Sequence, residues 1–214
     1  MSNAVQSPFL INRRGTEIGA DPADWRAGFD RVPALALDHA LSPDLLDLLM
    51  RQAAGASYID DDVRYIGTRQ IESPQRVSGS ISLMLGRAPL FEWLEQATGC
   101  GRIKALAGRI AQTRANDQDE LAWHDDYDMP DRLLGVVVNL SDQPYEGGMF
   151  ELRRKGEEEP LFRYHHTRPG TMTLFAVRRD LEHRVLPVTS GGPRRVFAGW
   201  MLSRPEQGVR SVFG

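Results

Sequence analysis

The chain has 214 residues with 26 basic and 29 acidic side chains, which give a formal net charge of -3. This length predicts one domain with a sizeable core. The near-neutral balance gives no electrostatic reason to expect nucleic acid or an anionic membrane as a partner. We therefore expect a small molecule or a peptide as the binding partner, and the charge says nothing about the oligomeric state.

The cysteine content and the N-terminus bear on the cellular compartment. Cys100 is the only cysteine, so an intramolecular disulfide cannot form. Residues 1–15 lack the long apolar run of a signal peptide, and the sequence has no stretch of about 18 apolar residues that would span a bilayer. These features predict a cytoplasmic protein with no membrane partner.

The first hundred residues predict helices behind an N-terminal arm. Residues 1–30 are polar and weakly periodic, which predicts a partly ordered arm ahead of a single domain at 31–214. A short apolar run then leads into an amphipathic helix with Ser42 as its N-cap. A second helix is predicted at 89–99, and Gly99 is placed to end it.

Between these helices lies a long polar segment, residues 55–80, with no clear period. We expect a loop here, because a polar sequence without periodicity shows no buried face of a strand or helix. Loops of this length inside a compact domain are usually functional lids or mobile insertions. Tyr58, Tyr65 and Arg69 are therefore predicted to close over a substrate.

After residue 100 the sequence changes to seven short runs rich in Val, Ile, Leu, Phe and Thr, each bounded by turn residues. The runs are RIKALAGRIAQTR, ELAWHDD, RLLGVVVNLS, GMFELRRK, TMTLFAV, EHRVLPV and RRVFAGWML. Their short spacing predicts an all-β sandwich or barrel, with the preceding helices covering one face. A doubly wound α/β fold is excluded because the runs leave no room for helices between them.

A metal site is predicted in the stretch LAWHDDYDMPD. His124 and Asp126 are two residues apart in a predicted strand, so both side chains leave the same face and can point at one ion. Imidazole and carboxylate suit a borderline divalent metal, and a third ligand is needed. His183 opens a later apolar run that a closed sheet can place beside the first strand. Two histidines and one carboxylate with three open positions are typical of non-haem Fe(II) oxygenases.

A pair of arginines follows a Gly-Gly-Pro turn in SGGPRRVFAGW. A guanidinium fork matches a carboxylate. Arg194 and Arg195 face opposite sides if they lie in a strand, so one can enter a barrel while the other meets solvent. This arrangement predicts a site for the distal carboxylate of a dicarboxylic cosubstrate.

The order of these elements resembles a known family. His124-x-Asp126 is followed by YEGGMFEL, RPGTMTLF, HRVLPVTSGGPRR and a closing Trp200. This series is similar to the Fe(II)- and 2-oxoglutarate-dependent dioxygenases, specifically to the prolyl-4-hydroxylase-like branch, and it covers residues 100–203. An HxD pair alone is a weak signal, but all the elements in this order and spacing are a strong one.

The resemblance implies a mainly β fold with N-terminal helices, a double-stranded β-helix of the jelly-roll or cupin type with its core at about 100–203. It implies that His124, Asp126 and His183 hold Fe(II) and that 2-oxoglutarate chelates this iron. Arg194 would pair with the distal carboxylate of the cosubstrate. O2 is the further cosubstrate, and ascorbate is an optional cofactor.

Two departures from the family pattern affect the cosubstrate site. The turn before Arg194 is one residue longer than the commonest pattern, so Arg195 stays an alternative. Many relatives carry a tyrosine ahead of the HxD pair that reaches the cosubstrate, and this chain has Arg114 near that place.

The implied reaction is hydroxylation of an unactivated C–H bond, with succinate and CO2 as coproducts. The substrate would be a peptide, a protein side chain or an amino-acid-like metabolite. Asp126 favours hydroxylation, because related halogenases replace this carboxylate with a small residue to admit chloride. The alternatives are a tailoring oxygenase of a small-molecule natural product and, in a different class, a non-catalytic β-barrel that binds metal or a dicarboxylate.

Several residues near these motifs are expected to have structural roles. Positions that face solvent or support the ligands are predicted for Asp125, Asp128 and Asp131. Exposure in a polar connection is predicted for His165 and His166. Core packing is predicted for Trp123 and Trp200. The Gly147-Gly148 pair is typical of a hairpin turn.

Overall fold

The computed structural model describes residues 3–63, 66–115, 121–127, 129 and 131–205. Helices of this part of the chain are α1 (Ala23–Arg31), α2 (Pro43–Ala54), α3 (Arg76–Leu85) and α4 (Ala88–Thr98). Its strands are β1 (Val5–Gln6), β2 (Phe9–Ile11), β3 (Thr16–Ile18), β4 (Ala34–Asp38), β5 (Tyr58–Val63), β6 (Gly67–Glu72), β7 (Ala105–Thr113), β8 (Leu121–His124), β9 (Arg132–Asn139), β10 (Tyr145–Gly147), β11 (Phe150–Arg154), β12 (Phe162–Tyr164), β13 (Met172–Ala176), β14 (Leu181–Val185), β15 (Val188–Gly191) and β16 (Arg194–Leu202).

Two sheets build the structure. The large sheet has eight strands in the order β1-β4-β13-β9-β16-β7-β6-β5, and the small sheet has four in the order β12-β11-β14-β8. The pairs β2-β3 and β10-β15 complete the strand pairing of the described residues. Each of the seven runs predicted after residue 100 forms a strand. Several neighbouring strands are distant in sequence, such as β4 and β13 in the large sheet and β14 and β8 in the small sheet, which is the crossing pattern of a jelly roll.

The core lies between the helices and the outer face of the large sheet. Leu45 and Leu49 of α2 and Ile81 of α3 are almost fully buried, and they surround the same small cavity as Val138 of β9. Full burial of a side chain of this size stabilises the fold by about 1.5–3 kcal/mol. The helices therefore cover one face of the large sheet, as predicted, and its other face is left to line a pocket.

The N-terminal residues contribute to the same core. Phe9 of β2 and Phe29 of α1 are almost fully buried, together with Ile11. Trp93 of α4 meets Phe9 edge-on at 5.4 Å between ring centroids and donates its indole N–H to the Ala20 carbonyl at 2.9 Å. These contacts tie the first thirty residues to α4.

Both predicted helices form at the expected positions. α2 begins at Pro43, which needs no N–H partner in the first turn. The Ser42 hydroxyl before it donates to Asp44 at 2.6 Å and does not cap a backbone N–H. α4 ends before Gly99, whose φ of 63° is the left-handed conformation that glycine adopts at low cost. No helix among the described residues has the length and apolar character needed to cross a membrane.

The expectation of a loop at 55–80 is wrong. β5 and β6 form an antiparallel hairpin, and α3 follows it. Arg69 donates to Asp61 at 2.9 Å and Gln70 donates to Asp60 at 2.9 Å, so polar side chains pair across the two strands. Because β5 is the edge of the large sheet, a polar strand is stable there without an alternating apolar face.

Helix α3 also lies within this segment. Its buried apolar side chains recur every fourth residue at Val77, Ile81 and Leu85, and the first of these lies in the stretch that looked aperiodic. Glu72 accepts hydrogen bonds from the backbone N–H groups of Val77 and Ser78 at 2.7 and 2.8 Å. A carboxylate at this end of the helix satisfies free N–H groups and complements the helix dipole.

Candidate metal centre

Three potential metal donors meet on the small sheet. His124 ends β8, Asp126 follows it, and His183 lies in the neighbouring β14. The two histidines are direct cross-strand partners, with ring centroids 4.2 Å apart. One donor atom from each of the three side chains lies within 4.8 Å of the others. Pairing of β8 with β14 therefore brings the predicted third donor to the HxD pair.

The orientation of His124 is set by the backbone. Its Nδ1 lies 2.7 Å from the Ala122 carbonyl oxygen. A carbonyl only accepts hydrogen bonds, so Nδ1 carries the proton and Nε2 keeps its lone pair. This partner fixes both the tautomer and the ring orientation, as is usual for histidines that bind metals.

Asp126 is held by two donors. Arg132 Nη1 donates to its Oδ1 at 2.7 Å, and Trp200 Nε1 donates to its Oδ2 at 2.8 Å. The Arg132 guanidinium also stacks over the Trp200 ring, 3.6 Å from the centroid. The carboxylate is thus oriented from two sides. Core packing was the expectation for Trp200; the residue is partly buried and packs against the core, and its indole N–H also donates to Asp126.

His183 is the most buried of the three donors. Its Nε2 lies 3.6 Å from Asp126 Oδ2. Burial, and next the neighbouring His124 ring, lower the pKa of His183 to about 3. The imidazole is therefore neutral at ordinary pH, and a neutral imidazole is the form that binds a metal.

This donor set fits Fe(II). Imidazole nitrogen and carboxylate oxygen are ligands that divalent iron accepts, and a facial set of two histidines and one carboxylate leaves open positions for a cosubstrate and O2. His124 and His183 can each offer a nitrogen lone pair. Asp126 offers a carboxylate oxygen, and the two hydrogen bonds from Arg132 and Trp200 fix the orientation of this carboxylate.

The three donors line a cavity of about 780 Å³, measured with its open mouth. The walls come from both sheets and are mostly apolar, with Phe150 and Phe175 on one side and Val196 and Ala198 of β16 on another. Small-molecule sites are typically apolar clefts with a few polar groups at fixed positions, and this cavity has that character beside the three donors.

Arg194 enters this cavity from the large sheet. Its side chain is buried, with 4% of the residue exposed, and its Nε has no hydrogen-bond partner among the described residues. Thr113 lies directly opposite on β7, and its buried Oγ1 also lacks a partner there. Buried polar atoms are rarely left unpaired. Together they fit the carboxylate of a bound ligand, which accepts hydrogen bonds from both.

The Gly147-Gly148 pair was expected in a hairpin turn, but β10 and β11 on either side of it lie in different sheets and do not pair. A Cβ atom on Gly148 would lie 2.8 Å from Cδ of Arg194. The φ of Gly148 is 65°, which side chains disfavour. Glycine is required here because it leaves the space through which the Arg194 side chain passes.

Arg195 does not enter the cavity. Its Nε donates to Gln112 at 2.8 Å, and its Nη1 pairs with Asp142. The alternation of side chains along β16 sends it to the opposite face from Arg194. The same alternation on β7 leaves Arg114 exposed and turns Thr113 inward. Thr113 is the residue near the family's tyrosine position that reaches the pocket, and we did not predict it.

His166 is buried, contrary to the expectation of exposure. None of its surface is accessible, and its ring nitrogens meet the hydroxyls of Thr171 and Thr173. Tyr145 donates to the His166 carbonyl. Burial, and next the positive charge of Arg194, hold the pKa of His166 well below its usual range. His166 is therefore neutral, and Arg194 has no second positive charge from this histidine beside it.

The outer face of the small sheet carries charged and aromatic side chains. Asp125 pairs with Lys155 and is not one of the three donors that lie close together. Trp123 was expected in the core and is instead stacked between the guanidinium groups of Arg153 and Arg184, 3.9 and 4.6 Å from its ring centroid. Alternation along β8 explains this, since His124 faces inward.

The predicted lid is described only in part. Tyr58 donates to the Ala53 carbonyl at 2.7 Å, and Arg69 lines the cavity. Tyr65 and Asp128 lie outside the described residues. Closure of this segment over a substrate stays a prediction.

The chain is similar to known proteins both in sequence and in fold. Residues 109–202 match the family model of the 2OG-Fe(II) oxygenase superfamily. No curated protein matches the chain. An oxidoreductase of the 2OG-Fe(II) oxygenase family from Burkholderia pseudomallei shares the fold with a TM-score of 0.64 and 17% identity, over 89% of this chain and 94% of that chain.

Two prolyl hydroxylases share the fold as well. The prolyl-4-hydroxylase of Pseudomonas putida has a TM-score of 0.63 and 19% identity, over 86% of this chain and 100% of that one. The second is a prolyl hydroxylase from Trichoplax adhaerens, in complex with a hypoxia inducible factor oxygen degradation domain peptide fragment. It has a TM-score of 0.65 and 15% identity, over 84% of this chain and 88% of that chain.

The family match and the shared fold confirm the resemblance seen in the sequence, with its prolyl-4-hydroxylase-like branch and its double-stranded β-helix. The family match over residues 109–202, together with the shared fold, supports a 2-oxoglutarate-dependent non-haem Fe(II) dioxygenase. The matched family implies Fe(II), 2-oxoglutarate and O2 as cofactors, and a His-Asp-His triad suited to the metal lies among the described residues.

Proposed function

We propose that the protein hydroxylates an unactivated C–H bond of a peptide, a protein side chain or an amino-acid-like metabolite. In this proposal His124, Asp126 and His183 bind Fe(II), and Arg194 binds the distal carboxylate of 2-oxoglutarate. The observation that carries it is that all four side chains line one apolar cavity. A cytoplasmic location, the absence of nucleic-acid partners and a single domain at 31–214 belong to the same proposal.

With Fe(II) and 2-oxoglutarate bound, the site supplies an oxidant that inserts one oxygen atom of O2 into a C–H bond, and 2-oxoglutarate becomes succinate and CO2. The protein contributes position. Arg132 and Trp200 keep the Asp126 carboxylate oriented, and Arg194 with Thr113 fixes the far end of the cosubstrate. The apolar walls exclude water from the reacting carbon.

Asp126 supports hydroxylation over halogenation. A halide needs a coordination position, and the Asp126 carboxylate with its two hydrogen-bond donors occupies the place where related halogenases have a small residue. The peptide bound to the Trichoplax adhaerens relative supports a peptide substrate. The apolar cavity with its few polar groups also suits a small metabolite.

The experiment is turnover of 2-oxoglutarate by the purified protein with Fe(II) and O2, measured as succinate, against proline-containing peptides and free amino acids. Mass spectrometry should find a product heavier by one oxygen atom. The His124→Ala variant should form neither succinate nor product. Succinate formation that persists in this variant would contradict the proposed metal site, and a product of unchanged mass would contradict hydroxylation.

A further inference from the structure

Three arginines of the described residues line the cavity, and one of them has no assigned role. Arg194 is matched to the cosubstrate in the proposed function. Arg69 forms an ion pair with Asp61 at 2.9 Å. Arg109 of β7 makes no hydrogen bond or ion pair with any other residue of the described chain. Its charge is therefore available to a ligand.

The strand register places Arg109 toward the metal donors. Arg109 is the direct partner of Ala198 on β16, and Trp200, two residues further along that strand, donates to Asp126. Arg194 is the partner of Thr113, four residues from Arg109 along β7. Four residues of strand span about 13 Å. The two arginines therefore enter the cavity from positions about 13 Å apart along the strands.

Small side chains leave space around Arg109. Its neighbours on the same face of β7 are Ala107 and Ala111, and the residue opposite is Ala198. The surrounding wall of the cavity is mostly apolar. A guanidinium in such a partly desolvated place binds an oxyanion more strongly than it would in water. Arg109 is half-buried, so a ligand that enters by the mouth can reach it.

We propose that Arg109 binds the carboxylate of the substrate, and that the substrate is a small amino-acid-like molecule with a free carboxylate. This inference rests on the proposed function and narrows its substrate class. The substrate carboxylate would pair with Arg109 while its apolar part faces the metal. A proline within a peptide chain has no such free carboxylate, so Arg109 selects against it.

The test compares each standard free L-amino acid with its C-terminal primary amide. Binding is measured by calorimetry under argon, with Fe(II) and 2-oxoglutarate present, so that no turnover occurs. At least one free acid should bind to the wild-type protein, and its amide should bind at least about tenfold more weakly. In Arg109→Gln this preference for the acid should vanish, and Arg109→Lys should restore part of it.

Two controls separate this inference from the proposed function. Arg51→Gln, on the exposed side of α2, should keep both the preference for the acid and its affinity. Arg109→Gln should weaken 2-oxoglutarate binding less than Arg194→Gln does. The inference is overturned if no free acid binds, if the preference survives in Arg109→Gln, or if the two arginine variants lose the cosubstrate equally. Each of these results can occur in a protein that still turns over 2-oxoglutarate.

Discussion

The polar groups that face the cavity from the two sheets differ in whether they have hydrogen-bond partners. On the small sheet the donor carboxylate of Asp126 is fully engaged by Arg132 and Trp200, and His124 is fixed by a backbone carbonyl. On the large sheet Arg194 Nε and Thr113 Oγ1 are buried with no partner among the described residues. Protein groups alone therefore organise the candidate metal donors, whereas the buried polar atoms of Arg194 and Thr113 are left for a ligand to complete their hydrogen bonds.

The difference matters for stability and binding. Unsatisfied buried polar groups cost about 1–3 kcal/mol each, so the large sheet should gain stability when the cosubstrate binds. The small sheet, whose groups are already paired, should gain less from it. Substitutions in the two sheets should consequently change different measured quantities.

Loss of a metal donor should have the largest effect. His183→Ala removes one of three donors, and loss of a mere supporting residue already costs about 10–100-fold in metal affinity. We expect Fe(II) affinity and 2-oxoglutarate turnover to fall by more than about a hundredfold. Metal titration and succinate measurement check this, and wild-type iron affinity in the variant would show that the donor set is misassigned.

Arg194→Gln should leave the affinity for Fe(II) unchanged and weaken the binding of 2-oxoglutarate. Truncation of one partner in a buried charge pair costs about 2–5 kcal/mol, so the Kd of 2-oxoglutarate should rise roughly 30-fold or more. Fe(II) affinity should stay at the wild-type value. Arg195→Gln is the matched control, because its pairing with Asp142 lies outside the cavity. An equal loss of cosubstrate affinity in both variants contradicts the assignment.

Trp200→Phe tests the organisation of the metal end. The change removes the N–H donor to Asp126 and keeps an aromatic ring under Arg132. Fe(II) affinity should fall about tenfold. The melting temperature without metal should change little, which separates this role from simple core packing. Unchanged iron affinity would mean that Arg132 alone suffices to orient the carboxylate.

Thr113→Val should give the smallest effect. It should raise the stability of the protein without cosubstrate and lower its affinity for 2-oxoglutarate. Valine keeps the shape and removes a buried hydroxyl that has no partner among the described residues. The free energy of unfolding without cosubstrate should rise by about 1 kcal/mol. The affinity for 2-oxoglutarate should fall, because one hydrogen bond worth about 0.5–1.5 kcal/mol is lost. Lower stability in the ligand-free variant would show that the hydroxyl is already paired.

The sequence points to the candidate metal donors through short motifs, and their binding of iron stays a prediction. His124 and Asp126 are close along the chain, and His183 opens the apolar run HRVLPV. Position after a turn singled out the Arg194-Arg195 pair, and the resemblance to the family favoured Arg194 over Arg195. The seven later strands were predicted because each carries a dense run of β-branched and aromatic residues.

The features that the sequence did not predict depend on pairing between distant strands. Thr113 matters only because β7 lies beside β16 in a register that sets it against Arg194. His166 looks exposed in a polar stretch, and its burial depends on hydroxyls of β13. The β5-β6 hairpin is stabilised by cross-strand polar pairs such as Arg69 with Asp61, and such pairs leave no periodic apolar pattern to read.

The central claim is that one cavity binds Fe(II) at the small sheet and 2-oxoglutarate between that metal and Arg194. Calorimetric titration of 2-oxoglutarate under argon tests it, with the wild-type protein, His183→Ala and Arg194→Gln each measured with and without Fe(II). The account predicts tight binding only in the iron-loaded wild-type protein and a large loss in both variants. Cosubstrate binding that is independent of iron and unchanged in the two variants would contradict it.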